Sequence, residues 1–213
     1  MYETEKIADL VPTQTWTARF EQALADGDVA GVREALATGK IDVNAPDGLR
    51  HTPLHHAIER GETMMVEVLL AHGADPNRAT MSELTPLHLA AYHGQVAAVG
   101  HLLEAGADVS AGNFKALTPL HLAVMNAHPP VVAALIQAGA PINAADNEGM
   151  TPLHYAGKDG TGPIVTILLA AGADPRQPNI HGQTPLDVAR AAGKREIAAL
   201  MARTRARRSA KGA

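Results

Sequence analysis

The sequence predicts an all-α solenoid, in which similar helical units stack side by side. A repeated motif and the composition both support this prediction. The tetrapeptide Thr-Pro-Leu-His begins at Thr52, Thr85, Thr118 and Thr151, and Thr-Pro-Leu-Asp begins at Thr184. Each start lies 33 residues after the previous one, and a constant period of this length is typical of stacked supersecondary units. The residues are 46% hydrophobic but only 3% aromatic, which suits thin layers of Leu, Val, Ile and Ala.

One unit, residues 47–79, shows the helix signals that recur along the chain. Thr52 is a helix N-cap, and Pro53 at the first helical position lacks an N–H that would be unpaired anyway. Gly61 ends this first helix, and Gly73 ends a second helix that follows it. Each unit is therefore predicted to be a helix, a turn, a second helix and a hairpin-like loop.

These signals predict six units including both caps. The expected organisation is an N-terminal extension over 1–15, a degenerate N-capping repeat over 16–46, repeats over 47–79, 80–112, 113–145 and 146–178, a C-capping repeat over 179–203 and a basic tail over 204–213. The first unit keeps the helix pattern without the motif, which fits a cap whose outer face meets water.

Glycine is missing from some loops at a position where positive φ is favoured, two residues before the Thr. The last two repeats carry Gly149 and Gly182 there, whereas the first three carry Arg50, Glu83 and Ala116. These three loops are expected to contain backbone strain or to adopt a different turn.

A glycine also lies inside a predicted first helix, at Gly157. Glycine weakens a helix interior by roughly 1 kcal/mol relative to alanine. The fifth repeat, which contains this residue, is therefore expected to be the softest layer.

The 33-residue period and the Thr-Pro-Leu-His motif resemble the ankyrin-repeat family over roughly Trp16 to Met201. The resemblance implies that the motif histidine braces the loops through bonds to Thr and to backbone groups of adjoining units. The residues with this implied structural role are Thr52, His55, Thr85, His88, Thr118, His121, Thr151, His154 and Thr184. Asp187 replaces the histidine in the last motif.

The histidines do not predict a metal site or a cofactor. Packed helices lie about 8–10 Å apart, whereas two nitrogens that share one zinc ion lie within roughly 4 Å, so the row of motif histidines cannot form one site. His51, His55 and His56 are the one local cluster in the sequence, and adjacent His55 and His56 project to different faces.

The sequence carries no pattern that predicts an enzyme. It lacks cysteine, so disulfides and thiol catalysis are excluded. It also lacks a Gly-x-Ser-x-Gly motif, a phosphate-binding loop and a dinucleotide fingerprint. Thin layers offer no deep pocket, so the chain is expected to be non-enzymatic, with a metal-dependent hydrolase as a remote alternative.

The resemblance implies a concave binding surface, formed by loop positions before each Thr and by two late positions on each first helix. The residues predicted to bind a partner protein are Met81, Leu84, Tyr92, His93, Phe114, Lys115, Leu117, Met125, Asn126, Met150 and Lys158. Exposed aromatic and Met side chains are typical interface anchors. For Leu84, Leu117 and Met150 the alternative is sideways packing against the neighbouring loop.

We therefore expect a non-enzymatic adaptor or scaffold that binds a partner protein and is monomeric when free. The alternative is an inhibitory regulatory subunit, an antidote or a secreted bacterial effector that blocks an enzyme. The Ala-rich composition and the excess of Arg over Lys favour a bacterial genome. The N-terminus lacks an apolar signal region and no run of 18 apolar residues occurs, so a cytoplasmic location without a membrane span is expected.

The charge is distributed unevenly along the chain. Five basic residues near the C-terminus, taken from a net charge of −4, leave −9 on the rest; they are Arg203, Arg205, Arg207, Arg208 and Lys211. They are expected to form a frayed helix end and a solvated tail, and contact with an acidic partner, an anionic membrane or nucleic acid is the alternative. An acidic body with few aromatics argues against nucleic acid as the main ligand.

Overall fold

The computed structural model describes the backbone of residues 13–211 and the side chains of residues 17–203. Over residues 13–211 the chain forms twelve α-helices and no β-strand. The helices are α1 (Thr13–Asp26), α2 (Val29–Ala37), α3 (Pro53–Glu59), α4 (Thr63–Ala71), α5 (Pro86–Tyr92), α6 (Val96–Glu104), α7 (Pro119–Met125), α8 (Pro129–Gln137), α9 (Pro152–Lys158), α10 (Gly162–Ala170), α11 (Pro185–Ala191) and α12 (Arg195–Lys211).

The helices form two parallel rows, which makes the fold a solenoid. The first helices of the repeats, α3, α5, α7, α9 and α11, each contact the next member of their row. The second helices, α2, α4, α6, α8, α10 and α12, do the same, and the two helices of each unit also contact each other. The predicted fold class, an all-α solenoid of helix–turn–helix units, is confirmed.

The core repeats with the same period as the motif. The motif leucines Leu54, Leu87, Leu120 and Leu153 are completely buried. They meet leucines of the second helices, such as Leu69 and Leu102, in one continuous apolar cluster. Complete burial of a leucine side chain stabilises a fold by about 1.5–3 kcal/mol, so the repeated leucine layers contribute strongly to stability.

Each repeat starts its first helix in the same way. A Thr in extended conformation precedes a Pro at the first helical position, and the third helical residue completes a capping box with that Thr in all five repeats. Glu or Gln usually fills this third position in a capping box. Here it is filled by the motif histidine, and by Asp187 in the last repeat.

Two element boundaries differ from the predicted organisation. Helix α1 begins at Thr13, inside the predicted extension, and α12 continues to Lys211 through most of the predicted tail. The tail sequence is rich in Ala and Arg, which favour helix. The side chains of Arg205, Arg207, Arg208 and Lys211, like residues 1–12, lie outside the described residues. Among the helices described, none has both the length and the apolar character needed to cross a membrane.

Gly157 permits a close approach between two first helices. A Cβ atom added to Gly157 on α9 would lie 2.7 Å from the carbonyl oxygen of Pro185 at the start of α11. No larger residue fits at this distance unless the backbone moves. Glycine weakens the interior of α9, and this close approach to α11 gives a packing reason for a glycine at the position.

Candidate protein-interaction surface

Five hairpin loops, 47–51, 80–84, 113–117, 146–150 and 179–183, connect the repeats, and all are closed in the same way. In the fourth-repeat loop the backbone N–H of Asn113 donates to the carbonyl oxygen of Leu117 at 3.1 Å. The Asn113 side-chain oxygen accepts from the N–H groups of Lys115 and Leu117 at 2.9 and 3.1 Å. Asp47, Asp146 and Asn179 make the equivalent side-chain bonds in their loops.

The loops without glycine adopt the same turn as the loops with glycine. Arg50, Glu83 and Ala116 have φ of 63°, 57° and 59°, close to the 72° and 73° of Gly149 and Gly182. A left-handed conformation costs a residue with a Cβ atom about 1–2 kcal/mol. Of the two outcomes left open by the sequence, the structure therefore shows local strain and not a different turn.

The motif histidines connect each repeat to the next loop. The backbone N–H of Thr85 donates to Nδ1 of His88 at 3.2 Å, and Nε2 of His88 lies 2.9 Å from the carbonyl oxygen of Leu117. The equivalent Nε2 contacts of His55, His121 and His154 reach the carbonyl oxygens of Leu84, Met150 and Gln183 at 3.3, 3.1 and 3.0 Å. All four histidines are fully buried.

These contacts determine which nitrogen of each imidazole ring carries the hydrogen. A backbone N–H can only donate, so Nδ1 is an acceptor and Nε2 carries the hydrogen that is donated to the carbonyl. Burial lowers the pKa of His55 and of His121 to about 4. Burial also lowers the pKa of His88 and of His154. The neutral rings therefore act as braces between adjacent loops.

Asp187 keeps the part of this arrangement that lies within one repeat. The backbone N–H and the hydroxyl of Thr184 donate to Asp187 Oδ2 at 3.1 and 2.6 Å. A carboxylate is shorter than an imidazole ring and has no N–H for a further carbonyl. The last motif thus retains its helix cap.

The largest apolar side chains outside the core include a group on the loops and first helices of the third and fourth repeats. Met81 and Phe114 are 65% and 58% exposed on equivalent positions of two neighbouring loops. Tyr92 and Met125, at equivalent positions on α5 and α7, are 48% and 40% exposed. We call the surface formed by these four residues the apolar patch.

The side chains of Lys115 and His93 flank the apolar patch. The ammonium group of Lys115 lies 5.6 Å from the centre of the Phe114 ring, within range of a cation–π interaction. The His93 ring meets the Tyr92 ring edge-on with 5.0 Å between their centres. His93, Lys115 and the more distant Lys158 are exposed.

Four residues that were predicted to bind a partner protein are buried or half-buried in the structure. Leu117 and Met150 are buried, and Leu84 is half-buried against the core. Met150 contacts the following loop, where its sulfur accepts from the side-chain amide of Asn179 at 3.3 Å. The Leu117 and Met150 side chains are therefore not free for a partner, and Leu84 offers only part of its side chain. The half-buried Asn126 donates its amide to the carbonyl oxygen of Leu122 at 2.9 Å and so caps the end of α7.

Ile180 lies at one of the loop positions expected to line the concave surface, although it is not among the residues named above as binding a partner. It occupies the same loop position as Met81 and Phe114 and is 66% exposed. The 33-residue spacing from those two residues is the signal that identifies this position.

A backbone hydrogen bond of one kind joins three of the four pairs of neighbouring loops. The N–H groups of Met81, Asn147 and Ile180 donate to carbonyl oxygens of the preceding loops at 3.2, 3.1 and 3.0 Å. Within residues 17–203, the equivalent pair of Phe114 N–H and Ser82 carbonyl makes no such bond. The two loops that carry the apolar patch are therefore joined less tightly than the others.

The structure places the clustered histidines His51, His55 and His56 in two different arrangements. His55 is buried in the brace described above, and its ring stacks on His51 at 5.7 Å between centres. His51 and His56 instead approach Asp47, and the three residues offer ligand atoms within 4.8 Å of one another.

A family model described as ankyrin repeats, in three copies, matches residues 20–113 and 120–207. The chain therefore belongs to the ankyrin-repeat family. Ankyrin repeats are generally protein–protein interaction modules, and their stacking produces extended surfaces that serve this purpose.

Short segments of larger proteins are similar to this chain. An ankyrin repeat protein of fowlpox virus is 49% identical over 53 residues, which are 25% of this chain and 8% of the relative. The 2-5A-dependent ribonuclease of Mus musculus is 45% identical over 58 residues, 27% of this chain and 8% of the relative. The acyl-CoA-binding domain-containing protein 6 of Xenopus tropicalis is 45% identical over 49 residues, 23% of this chain and 17% of the relative.

Proposed function

We propose that this protein is a non-enzymatic adaptor that holds a partner protein on the apolar patch of its third and fourth repeats. The observation that supports this proposal is the exposure of Met81, Tyr92, Phe114 and Met125, each between 40% and 65%. Folding does not require large apolar residues at these positions, because the equivalent residues of the fifth repeat are Asn147 and Lys158.

The chemistry of the patch suits a protein partner. Aromatic side chains provide large contact areas with few rotatable bonds, and Met adapts to an irregular surface. Lys115 beside Phe114 adds a positive charge that orients an acidic or carbonyl-rich partner segment. The missing backbone bond between Ser82 and Phe114 leaves these two loops room to adjust to that segment.

A binding role without catalysis also agrees with the histidines. Both ring nitrogens of His55, His88, His121 and His154 are engaged in structural contacts, so none is free to act as a general base. We place the adaptor in the cytoplasm as part of the same proposal.

Affinity capture from an extract of the source cells tests the proposal. Tyr92→Ala/Phe114→Glu removes two anchors, and Met64→Glu is the matched control because Met64 is 58% exposed on α4, in the other helix row. We expect a partner that binds the wild type and the control but not the double variant, with all three proteins melting cooperatively. Equal capture by the double variant would move the interface elsewhere.

A second assay separates an adaptor from an inhibitor. The captured partner is purified, and its own activity is measured as this chain is added up to one equivalent. An adaptor leaves that activity unchanged, whereas a stoichiometric loss identifies a blocking subunit.

A further inference from the structure

The second repeat combines three metal-binding side chains that no later repeat brings together. Its loop and first helix contain Asp47, His51 and His56. The residues equivalent to His51 are Leu84, Leu117, Met150 and Gln183, and those equivalent to His56 are Leu89, Leu122, Tyr155 and Val188. The solenoid does not need histidine at either position, so both are available for another role.

The structure brings these three side chains together. Asp47 Oδ2 lies 3.1 Å from His56 Nε2, and one ligand atom from each of the three residues lies within 4.8 Å of the other two. Ligand atoms about 2.0–2.1 Å from a tetrahedral zinc ion are roughly 3.4 Å apart. Small rotations of the two half-exposed rings are enough to close that difference.

The carboxylate is already held in place by its loop. Asp47 Oδ1 accepts from the backbone N–H groups of Leu49 and His51, both at 2.8 Å. These bonds leave Oδ2 directed towards His56 and available as a ligand. The site therefore needs little ordering when an ion binds.

A second carboxylate lies behind the two rings. Glu59 Oε2 is 3.5 Å from His56 Nδ1, and Glu59 Oε1 is 3.7 Å from His51 Nδ1. When His56 binds an ion through Nε2, its Nδ1–H points to Glu59. A carboxylate on the far side of a metal-binding histidine is the usual outer-shell arrangement, and it raises the basicity of the ring.

We propose that Asp47, His51 and His56 bind one divalent transition-metal ion of the zinc type, and that Glu59 positions the rings. Two imidazoles and a carboxylate are the donor types that such ions prefer, with water completing the coordination at an exposed site. The ion joins the loop 47–51 to helix α3 and so stabilises the first loop of the solenoid.

A loop-to-helix hydrogen bond alone is the simpler account of Asp47 and His56. The fifth repeat has such a bond, because the Tyr155 hydroxyl donates to Asp146 Oδ2 at 2.6 Å. However, the other two positions of that repeat hold Met150 and Lys158. Only the second repeat adds a further ring and a carboxylate, which a hydrogen bond does not require.

Isothermal titration of ZnCl2 into the tag-free, full-length protein tests the proposal. We expect one ion per chain and a zinc-dependent rise in melting temperature. His51→Leu/His56→Leu introduces the residues that the third and fourth repeats carry, so it retains the fold, and zinc affinity is expected to fall at least 100-fold. Glu59→Gln is expected to lower the affinity about 10-fold.

Two further variants keep the result interpretable. Asp47→Asn preserves the loop, since Asn113 makes the same two loop bonds, yet it removes the anionic ligand and is expected to weaken zinc binding at least 10-fold. His93→Ala/His181→Ala removes two exposed histidines elsewhere and is expected to bind zinc like the wild type. Wild-type zinc affinity in His51→Leu/His56→Leu, or no saturable binding by the wild type, overturns the proposal.

Discussion

His88 and Leu117 are 29 residues apart in the sequence, yet His88 Nε2 lies 2.9 Å from the Leu117 carbonyl oxygen. The same ring accepts the N–H of Thr85 at the start of its own helix. One buried ring thus fixes the position of the following loop relative to a rigid helix start. Since the contact recurs in four repeats, the loops that carry the apolar patch are held in register by the core.

Removing one brace is expected to destabilise the whole stack. His88→Ala leaves the Thr85 N–H without its partner, removes one of the two hydrogen bonds to the Leu117 carbonyl and opens a cavity. The free energy of unfolding should therefore fall by about 3 kcal/mol. Urea unfolding measures this change. His93→Ala, an exposed histidine five residues later, should change it by less than about 0.5 kcal/mol. Equal effects of the two substitutions would show that the brace is not important for stability.

The same buried rings predict a loss of stability in mild acid. The pKa of His55 and of His121 is about 4 in the folded protein, below the value of about 6.5 expected in the unfolded chain. The unfolded chain therefore binds more protons between these values, and stability falls as the pH decreases from about 6.5 towards 4. Each of the two rings should contribute a loss on the order of 1–2 kcal/mol at pH 5 relative to neutral pH.

Urea unfolding at pH 7.5 and pH 5 checks this dependence. His121→Gln cannot gain a proton, so the difference between the two pH values should be smaller in this variant than in the wild type. An identical difference in both proteins would mean that His121 does not contribute to the acid sensitivity.

The strained loops predict a substitution that increases stability. Ala116 has a φ of 59°, so Ala116→Gly relieves a left-handed conformation and should raise the free energy of unfolding by about 0.5–1 kcal/mol. Ala133→Gly in the middle of α8 should lower it by about 1 kcal/mol. Thermal or urea unfolding of both variants compares them directly. A loss of stability in Ala116→Gly would indicate that the loop is not strained.

Gly157 and Gly100 should respond in opposite ways to alanine. A Cβ atom at Gly157 would lie 2.7 Å from a backbone oxygen, whereas one at Gly100 in α6 would meet no atom within 4 Å. Gly157→Ala should therefore destabilise the protein by about 1–3 kcal/mol, although helix propensity alone favours alanine. Gly100→Ala should stabilise it by about 0.5–1 kcal/mol. Urea midpoints that rise in both variants would argue against a tight contact between α9 and α11.

The fold could be predicted from the sequence because every repeat contains the same signals for helix starts, helix ends and buried positions. Thr, Pro and Gly at fixed spacing identify helix starts and ends, and the leucines between them identify the core. The exposed positions of Met81, Tyr92, Phe114 and Met125 followed from the period as well. For Leu117 the sequence left partner binding and packing within the protein both open, because the period gives a position in the loop but not the direction of its side chain.

Contacts between units were harder to predict because both partners must be recognised together. Asn44 and Asn77 accept the N–H groups of Asp75 and Asp108 at 2.7 Å, and this bridge was missed. At the next junction Ser110 stands in place of the asparagine, and its partner position holds Pro141, which has no N–H. Serine therefore replaces the acceptor asparagine at the junction where proline removes the donor N–H, but only the structure shows that these two positions meet. The approach of Asp47 to His56 was missed for the same reason.

Site-specific photo-crosslinking gives the most direct test of the proposed interface. A photoreactive amino acid is placed at position 114 in the apolar patch, or at position 104, where the exposed Glu104 ends α6 in the other helix row. Both proteins are irradiated in an extract of the source cells. The proposed function predicts a covalent protein adduct at position 114 and none at position 104. An adduct at position 104 alone, or none at either position, would contradict it.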